Sequence, residues 1–241
     1  MLLRRITQHV RDQNWFAVFV DFFIVIIGIL IAFQVTEWDA EREKLISQEQ
    51  IYERLVKDFE IIEQRSDRAV EYMEYLLDSL IVLQDAVNRG KSELDEAEKI
   101  KYALERAYSY PAFNDRSGTY IELLSSGQLE LIQSEQLRIA LNEYDLRVQQ
   151  SKFNETRIAD MLIGSGNLVA FSRHKTFENP ARNEHSEIIR GPIKSFDIAA
   201  MATDEEFQNE LAYVIENRTW LMANVYGQRR VIRQVKAAFE D

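Results

Sequence analysis

The chain has 241 residues, of which 46% are hydrophobic and 29% charged, and its formal net charge is −11. It contains no cysteine, which excludes disulfides, thiolate metal sites and cysteine nucleophiles. An acidic chain repels the phosphate backbone, so we set a nucleic-acid partner aside. The chain has only eight glycines and three prolines, the residues that most often mark turns and loops. Because tight turns must therefore be few, we expect an all-α protein.

Residues 16–35 form an apolar run that contains one carboxylate, Asp21. At a rise of about 1.5 Å per residue, a helix of this length spans about 30 Å, the thickness of a bilayer core. Trp15 and Trp38 flank the run, as interfacial anchors do. The run is longer than the apolar part of a signal peptide, and no Ala-x-Ala cleavage site follows it. The pattern therefore predicts an uncleaved single-pass transmembrane helix in the lipid bilayer.

The charges on either side of the run predict its orientation. Arg4, Arg5 and Arg11 precede it, whereas the residues that follow it are mainly acidic. By the positive-inside rule, residues 1–15 form a cytoplasmic N-terminus and residues 36–241 an extracytoplasmic domain. In a Gram-negative bacterium this places the span in the inner membrane and the domain in the periplasm.

Asp21 is the unusual residue of the predicted span. Helical spacing places it on the same stripe as Gly28 and Ala32, a small-xxx-small pair that allows close helix packing. Three roles remain open for the carboxylate. It reaches the inner headgroups or an arginine of a neighbouring chain, it forms a hydrogen bond between helices, or it carries protons.

The apolar pattern beyond the span is that of one continuing helix. A coiled-coil heptad runs to about Asn88, and Gly90 is the expected stop. Val56, Val70 and Leu77 widen the apolar stripe, which favours a multi-helix bundle over a bare coiled coil. The heptad positions are Leu45, Tyr52, Phe59, Ser66, Met73, Leu80 and Val87 (a), and Gln48, Leu55, Ile62, Ala69, Leu76 and Leu83 (d).

Capping residues predict the next elements. Ser92 with Asp95 begins a second helix that ends near Tyr110, and Ser117 or Thr119 begins a short helix that Gly127 ends. Ser134 then caps a long helix that ends near Gly164 and Gly166.

Residues 172–203 are expected to form a loop with one short helix, since no strand periodicity is evident. The last helix begins near Asp204, and Arg218 and Gln228 interrupt its apolar stripe. Antiparallel packing of these helices on the long first helix gives the predicted bundle.

Two segments carry a resemblance. Residues 21–38, "DFFIVIIGILIAFQVTEW", follow the order acid, apolar, glycine, apolar, Gln34 and, four residues later, Trp38. Residues 119–144 read Thr-Tyr-x-x-Leu-x-Ser-x-Gly, then Leu-x-Leu-Ile and Leu-Arg-x-x-Leu. Together they resemble an uncharacterised bacterial family of single-span membrane proteins with a domain of unknown function. The resemblance covers about a quarter of the chain and implies a membrane anchor and a helical outer domain, without an assigned activity.

No pattern of side chains points to catalysis. His174, Glu178, His185 and Glu187 share one loop and could bind a divalent ion, but their spacing matches no metal motif. We therefore expect no catalytic residue, metal or cofactor, and a protein that is not an enzyme. A second group of side chains could form a small-molecule pocket or could simply pack one end of the bundle. Its residues are Tyr108, Tyr110, Phe113, Arg116 and Tyr120.

Three functional hypotheses follow. The leading one is a structural or interaction subunit that forms a homo-oligomer or binds a membrane-protein partner. The first alternative is an accessory subunit of a complex driven by the proton-motive force, in which Asp21 carries protons. Its anchor resembles those of small stator-type subunits, but its outer domain does not. The second alternative is an extracytoplasmic ligand-sensing module, which would need a partner because residues 1–15 are too few for an output domain.

Overall fold

A computed structural model describes residues 15–109, 115–164, 168–182, 188–189 and 191–240. The all-α fold predicted from the sequence is confirmed, since long helices make up most of the described chain. The chain divides into two compact units, Met1–Tyr52 and Glu53–Asp241.

The first helix, α1, runs unbroken over Trp15–Arg89 and confirms the predicted continuous helix. It ends at Gly90, whose φ of +69° lies in the left-handed region that glycine adopts without strain. The amide of Gly90 donates to the carbonyl oxygen of Val87, and that of Lys91 donates to Ala86. These two bonds form a Schellman motif, which satisfies carbonyl groups at the end of the helix.

The second helix, α2 (Ala97–Arg106), is shorter than predicted. A 3₁₀ turn, Leu94–Glu96, precedes it, and Glu93 rather than Ser92 is the capping residue of that turn. The side chain of Glu96 accepts a hydrogen bond from the Glu93 amide at 2.9 Å. The prediction placed the cap one residue too early because Glu93 and Glu96 form a capping box in which glutamate replaces the usual Ser or Thr.

Two further helices begin and end as predicted. α3 (Gly118–Ser126) begins after Ser117, whose side chain accepts from the Tyr120 amide, and ends at Gly127, with a φ of +73°. α4 (Glu135–Gly164) follows Ser134, whose hydroxyl accepts from the Leu137 amide at 3.1 Å.

Residues 168–203 contain more regular structure than the predicted loop. Two short helices, α5 (Leu168–Arg173) and α6 (Ile198–Thr203), enclose four short strands. β1 pairs antiparallel with β4, and β2 with β3. The prediction missed these strands because two to four residues are too few to show an alternating pattern. The strands are β1 (Lys175–Phe177), β2 (Ala181–Arg182), β3 (Ile188–Ile189) and β4 (Ile193–Phe196).

The last helix, α7 (Glu205–Ala237), begins after Asp204, as predicted. It runs antiparallel to α1, because its contacts with α1 occur in reverse order. Lys236 bonds to Glu63, Arg229 lies 2.9 Å from Asp67, and the Tyr226 hydroxyl lies 2.5 Å from Glu74.

The described residues from α2 to α3 also contact α1 in descending order, so both helices run antiparallel to α1. α4 then returns in the direction of α1, since Tyr144 contacts Phe59 and Ile158 shares a core cluster with Met73. The bundle of the second unit is therefore up, down, up and down. The descending contacts are Lys99–Asp78, Tyr102–Tyr75, Ser109–Tyr72, Asp115–Arg65, Ser117–Asp58 and Glu122–Arg54.

The heptad of α1 forms one wall of the core from Leu55 onward. Every predicted a and d residue from Leu55 to Val87 is buried, including Ser66. Leu45 and Tyr52, which belong to the first unit, are instead exposed to 60% and 42%. The predicted apolar stripe is thus covered by bundle helices only in the second unit.

Candidate functional site

A cluster of four polar side chains, the α3 cluster, lies where α3 begins and consists of Asp58, Arg116, Ser117 and Asp145. The Asp58 carboxylate accepts from the Ser117 hydroxyl at 2.7 Å and from the Thr119 amide at 3.0 Å. A carboxylate is favoured at a helix N-terminus, where amide groups lack partners within the helix. Asp58 therefore attaches the start of α3 to α1.

Arg116 and Asp145 form the second half of the α3 cluster. The guanidinium donates from Nε to Oδ1 at 2.5 Å and from Nη2 to Oδ2 at 3.0 Å, and Gln149 donates to the same Oδ2 at 2.7 Å. The hydrogen bond to Asp145 raises the pKa of Arg116. Such two-point pairs are strong and directional. This one connects the start of α3 to α4.

Tyr144 lies beside the α3 cluster and is almost completely buried. Its hydroxyl donates to the carbonyl oxygen of Asp115 at 2.6 Å, and its ring packs edge-on against Phe59 with centroids 5.0 Å apart. Burial raises its pKa, followed in size by the charges of Asp115 and Asp145. The phenol therefore stays protonated and acts as a fixed donor.

A second set of polar residues, the core polar cluster, consists of Tyr108, Glu210 and Arg218. The Tyr108 hydroxyl donates to Glu210 Oε1 at 2.7 Å. Arg218 donates to the carbonyl oxygen of Ala107 from Nε at 3.2 Å and from Nη2 at 2.6 Å. Burial, then the hydrogen bond to Glu210, raises the pKa of Tyr108. The cluster joins the end of α2 to α7 through groups that are well shielded from water.

The described residues of the predicted aromatic pocket belong to two places in the bundle, Tyr108 to one and Arg116 with Tyr120 to the other. Tyr108 belongs to the core polar cluster and packs against Phe171 with ring centroids 5.5 Å apart. Tyr120 belongs to α3 and is buried, and burial raises its pKa. Arg116 is held by Asp145. Tyr110 and Phe113 lie outside the described residues. The described members therefore pack the bundle and connect helix ends, which favours the packing interpretation for these three residues.

Of the predicted metal ligands, the structure describes His174 and Glu178, and the His174 ring has another partner. His174 Nε2 lies 2.7 Å from Asp204 Oδ2, and the Glu178 amide donates to the carbonyl oxygen of Pro192. His185 and Glu187 lie outside the described residues. Within the described ranges, no three histidine or carboxylate side chains converge as a metal site would require.

The predicted anchor residues lie in or beside the apolar part of α1. Gly28 has open space around its α-carbon, and Ala32 is exposed, so this small-residue face is uncovered. Trp38 is 79% exposed. Trp15 and Asp21 lie in the helix, but their side chains are outside the described part of the structure, so the predictions for the carboxylate stay untested.

α1 is the one helix in the described ranges that is long and apolar enough to cross a membrane. The described apolar side chains between Phe19 and Val35 are exposed in the isolated chain except for the half-buried Ile26, for example Phe22 at 62% and Phe33 at 65%. A helix that is apolar all round and not covered by protein is typical of a membrane span.

Comparisons of the chain with protein-family models, with curated proteins and with solved structures found no match.

The two polar clusters hold helices together. In each, a carboxylate on one helix accepts a hydrogen bond from a side chain that lies next to the end of another helix. Sequence reasoning missed Asp58, Asp145 and Glu210, whose partners are distant in the chain. Arg218 and Gln228, noted as interruptions of the apolar stripe on the last helix, are both 1% exposed and were the visible signals of polar groups in the core.

Proposed function

We propose that this protein is a membrane-anchored, non-enzymatic structural or interaction subunit. It self-associates or binds a membrane-protein partner through its span and its helical domain. The proposed topology is a single pass through a bacterial inner membrane, with the N-terminus in the cytoplasm and the helical domain in the periplasm.

The observation that carries this proposal is the exposed apolar surface of α1 between Phe19 and Val35. Exposing this much contiguous apolar surface to water is strongly unfavourable, whereas lipid or another helix covers it without cost. The open face at Gly28 and Ala32 would let a second helix approach closely.

The packing of the second unit supports an interaction role. Its described polar clusters are occupied by contacts between helices, and such contacts create a rigid bundle with a defined outer surface. A rigid bundle with a membrane anchor is suited to present a binding surface to a partner.

Two measurements test the proposal. Native mass spectrometry of the full chain, extracted from its own membranes in mild detergent, should detect a homo-oligomer or a complex with a membrane protein. A strict monomer that copurifies with nothing would contradict it. Alkaline phosphatase fused after residue 241 should be active, whereas green fluorescent protein at the same position should remain dark, since both reporters distinguish the two sides of the membrane.

The position of Asp21 within the apolar part of α1 favours a second candidate, the proton-driven accessory subunit. Asp21→Asn should then abolish activity of the assembled complex while assembly is retained. Asp39→Asn, just beyond the predicted span, is the matched control. Normal activity with Asn at position 21 would eliminate this candidate.

A further inference from the structure

We call the heptad a and d positions of α1 its seam, and the a positions are exposed between the apolar run and the bundle. Ile31, Trp38 and Leu45 are spaced by seven residues and are exposed to 56%, 79% and 60%. Two heptads beyond Leu45, the same seam reaches Phe59, which is completely buried in the bundle. Ile31 lies within the predicted span, where lipid covers it, but Trp38 and Leu45 lie beyond it. We call residues 36–52 the juxtamembrane segment.

The large apolar residues of this segment have the spacing of a coiled-coil helix, but no other helix of the described chain covers them. Large apolar side chains that a lone helix exposes to water are unfavourable. Heptad spacing keeps one apolar face toward a partner helix over successive turns. A second helix would therefore remove Trp38 and Leu45 from water and stabilise the segment.

We propose that the juxtamembrane segment pairs with the same segment of a second copy as a short, parallel, two-stranded coiled coil. This inference rests on the proposed membrane anchor. All copies inserted in the same direction carry the segment at the same distance from the membrane and with the same polarity. A parallel arrangement with twofold symmetry then follows, in which each seam residue faces its own counterpart.

The charges beside the seam fit this arrangement. With Trp38 and Leu45 at position a, Glu37 and Lys44 occupy position g, and Arg42 and Glu49 occupy position e. In a parallel pair, each g residue faces the e residue five positions further along the other helix. Glu37 would thus face Arg42 of the second copy, and Lys44 would face Glu49 of the second copy. Both pairs have opposite charge.

These charges are not already used within the chain. Residues five apart do not face each other on one helix, so Glu37 cannot pair well with Arg42, nor Lys44 with Glu49, in the same copy. None of the four side chains forms an ion pair with any other residue of the described ranges. They are exposed and available to a second helix.

The pairing depends on the anchor because the seam is imperfect. Glu41 occupies position d between Trp38 and Leu45, and a carboxylate there weakens a coiled coil. Anchoring in one membrane raises the effective concentration of the two segments, which compensates for weak contacts. We therefore expect pairing of the full chain in membranes.

The absence of cysteine makes a direct test possible, since each introduced cysteine is the only thiol. Leu45→Cys and Gln48→Cys place the thiol at the seam, whereas Glu43→Cys and Gln50→Cys place it on the opposite side. In membranes treated with a mild oxidant, the seam variants should form several-fold more disulfide-linked dimer than the other two. Equal crosslinking at all four positions would overturn the proposal.

A second exposed apolar residue controls for contact elsewhere on the molecule. Leu146 on α4 is 58% exposed, so Leu146→Cys reports pairing through the bundle surface. Strong crosslinking at Leu146 with none at Leu45 or Gln48 would also overturn the proposal. Native mass spectrometry of the unmodified chain distinguishes failure of this inference from failure of the proposed function. An oligomer without seam crosslinking contradicts only this inference, whereas a strict monomer with no bound partner contradicts the proposed function as well.

A charge exchange tests the register. On the Gln48→Cys background, Lys44→Glu and Glu49→Lys should each lower the dimer yield, because each creates a like-charge pair between copies. The double variant restores opposite charges and should recover the yield. Failure of the double variant to exceed either single variant would contradict the parallel register.

Discussion

Arg218 donates two hydrogen bonds to the carbonyl oxygen of Ala107, which lies 111 residues earlier in the chain. Ala107 directly follows the last residue of α2, where carbonyl groups lack partners within the helix. Arg218 is itself only 1% exposed, so this bond forms in a site shielded from water. The interruption of the apolar stripe on α7 thus satisfies a helix end that the bundle core encloses.

Replacing Arg218 by methionine should therefore destabilise the bundle. The variant keeps much of the side-chain volume but leaves the Ala107 carbonyl without its donor, which we expect to lower the free energy of unfolding by about 1–3 kcal/mol. Urea unfolding of the full chain in mild detergent, followed by circular dichroism, measures the change. Arg230→Met on the exposed side of the same helix is the control and should stay within about 0.5 kcal/mol. Equal effects of the two variants would refute this role.

Asp58→Ala should detach the start of α3 from α1. The variant leaves the Ser117 hydroxyl and the Thr119 amide without their shared acceptor, and we expect a loss of about 1–3 kcal/mol. Asp78→Ala is the matched control, since Asp78 forms an exposed ion pair with Lys99 that should contribute about 0–1 kcal/mol. Hydrogen exchange should also increase at the first amides of α3 in the Asp58 variant. Unchanged exchange there would contradict the assignment.

Alanine substitutions of the two glycines at the ends of α3 should change the free energy of unfolding in opposite directions. Gly127→Ala places a side chain at a φ of +73°, which should cost about 1–2 kcal/mol. Gly118→Ala meets open space at the first residue of α3 and should stabilise by up to about 1 kcal/mol, because alanine loses less chain entropy. Urea midpoints of the two variants test this, and a shift of the same sign in both would disprove it.

Stability should fall in acid through Asp204, the N-cap of α7. The hydrogen bond with His174, then that with the Phe207 amide, lowers its pKa below the ordinary value of 3.8. Arg173 and Glu206 are the other charged groups at this site. Because the folded pKa is the lower one, the stabilisation is complete above the unfolded pKa and is lost as pH falls through the folded pKa.

Asp204→Asn tests the origin of this acid dependence. Asparagine is a comparable N-cap but does not titrate, so the variant should show a weaker decline in stability below about pH 4 than the unmodified chain. Asp204→Ala also removes the cap and should lose about 1 kcal/mol at neutral pH. Urea midpoints measured at pH 7, 4 and 3 give both quantities. An identical acid decline in the asparagine variant would exclude Asp204 as the cause.

Helix boundaries were largely predictable because the chemistry that decides them is local. Ser117, Ser134 and Asp204 each bond to an amide three residues away, and Gly90 and Gly127 relieve a backbone strain at their own positions. The cap at Glu93 was missed because glutamate can also form a capping box, whereas the prediction looked for serine. The short strands were missed because each depends on a partner strand more than on its own pattern.

The sequence alone determined the helical fold, the apolar run and most helix ends, since periodicity and capping act over three to seven residues. Only the tertiary structure decided that Asp58 holds Ser117, that Arg116 holds Asp145 and that Arg218 holds Ala107. These pairs join residues tens of positions apart, and many other carboxylates and arginines in so charged a chain are equally plausible partners. Bundle packing selects among them, because a buried charge is stable only where the fold brings its counterpart within bonding distance.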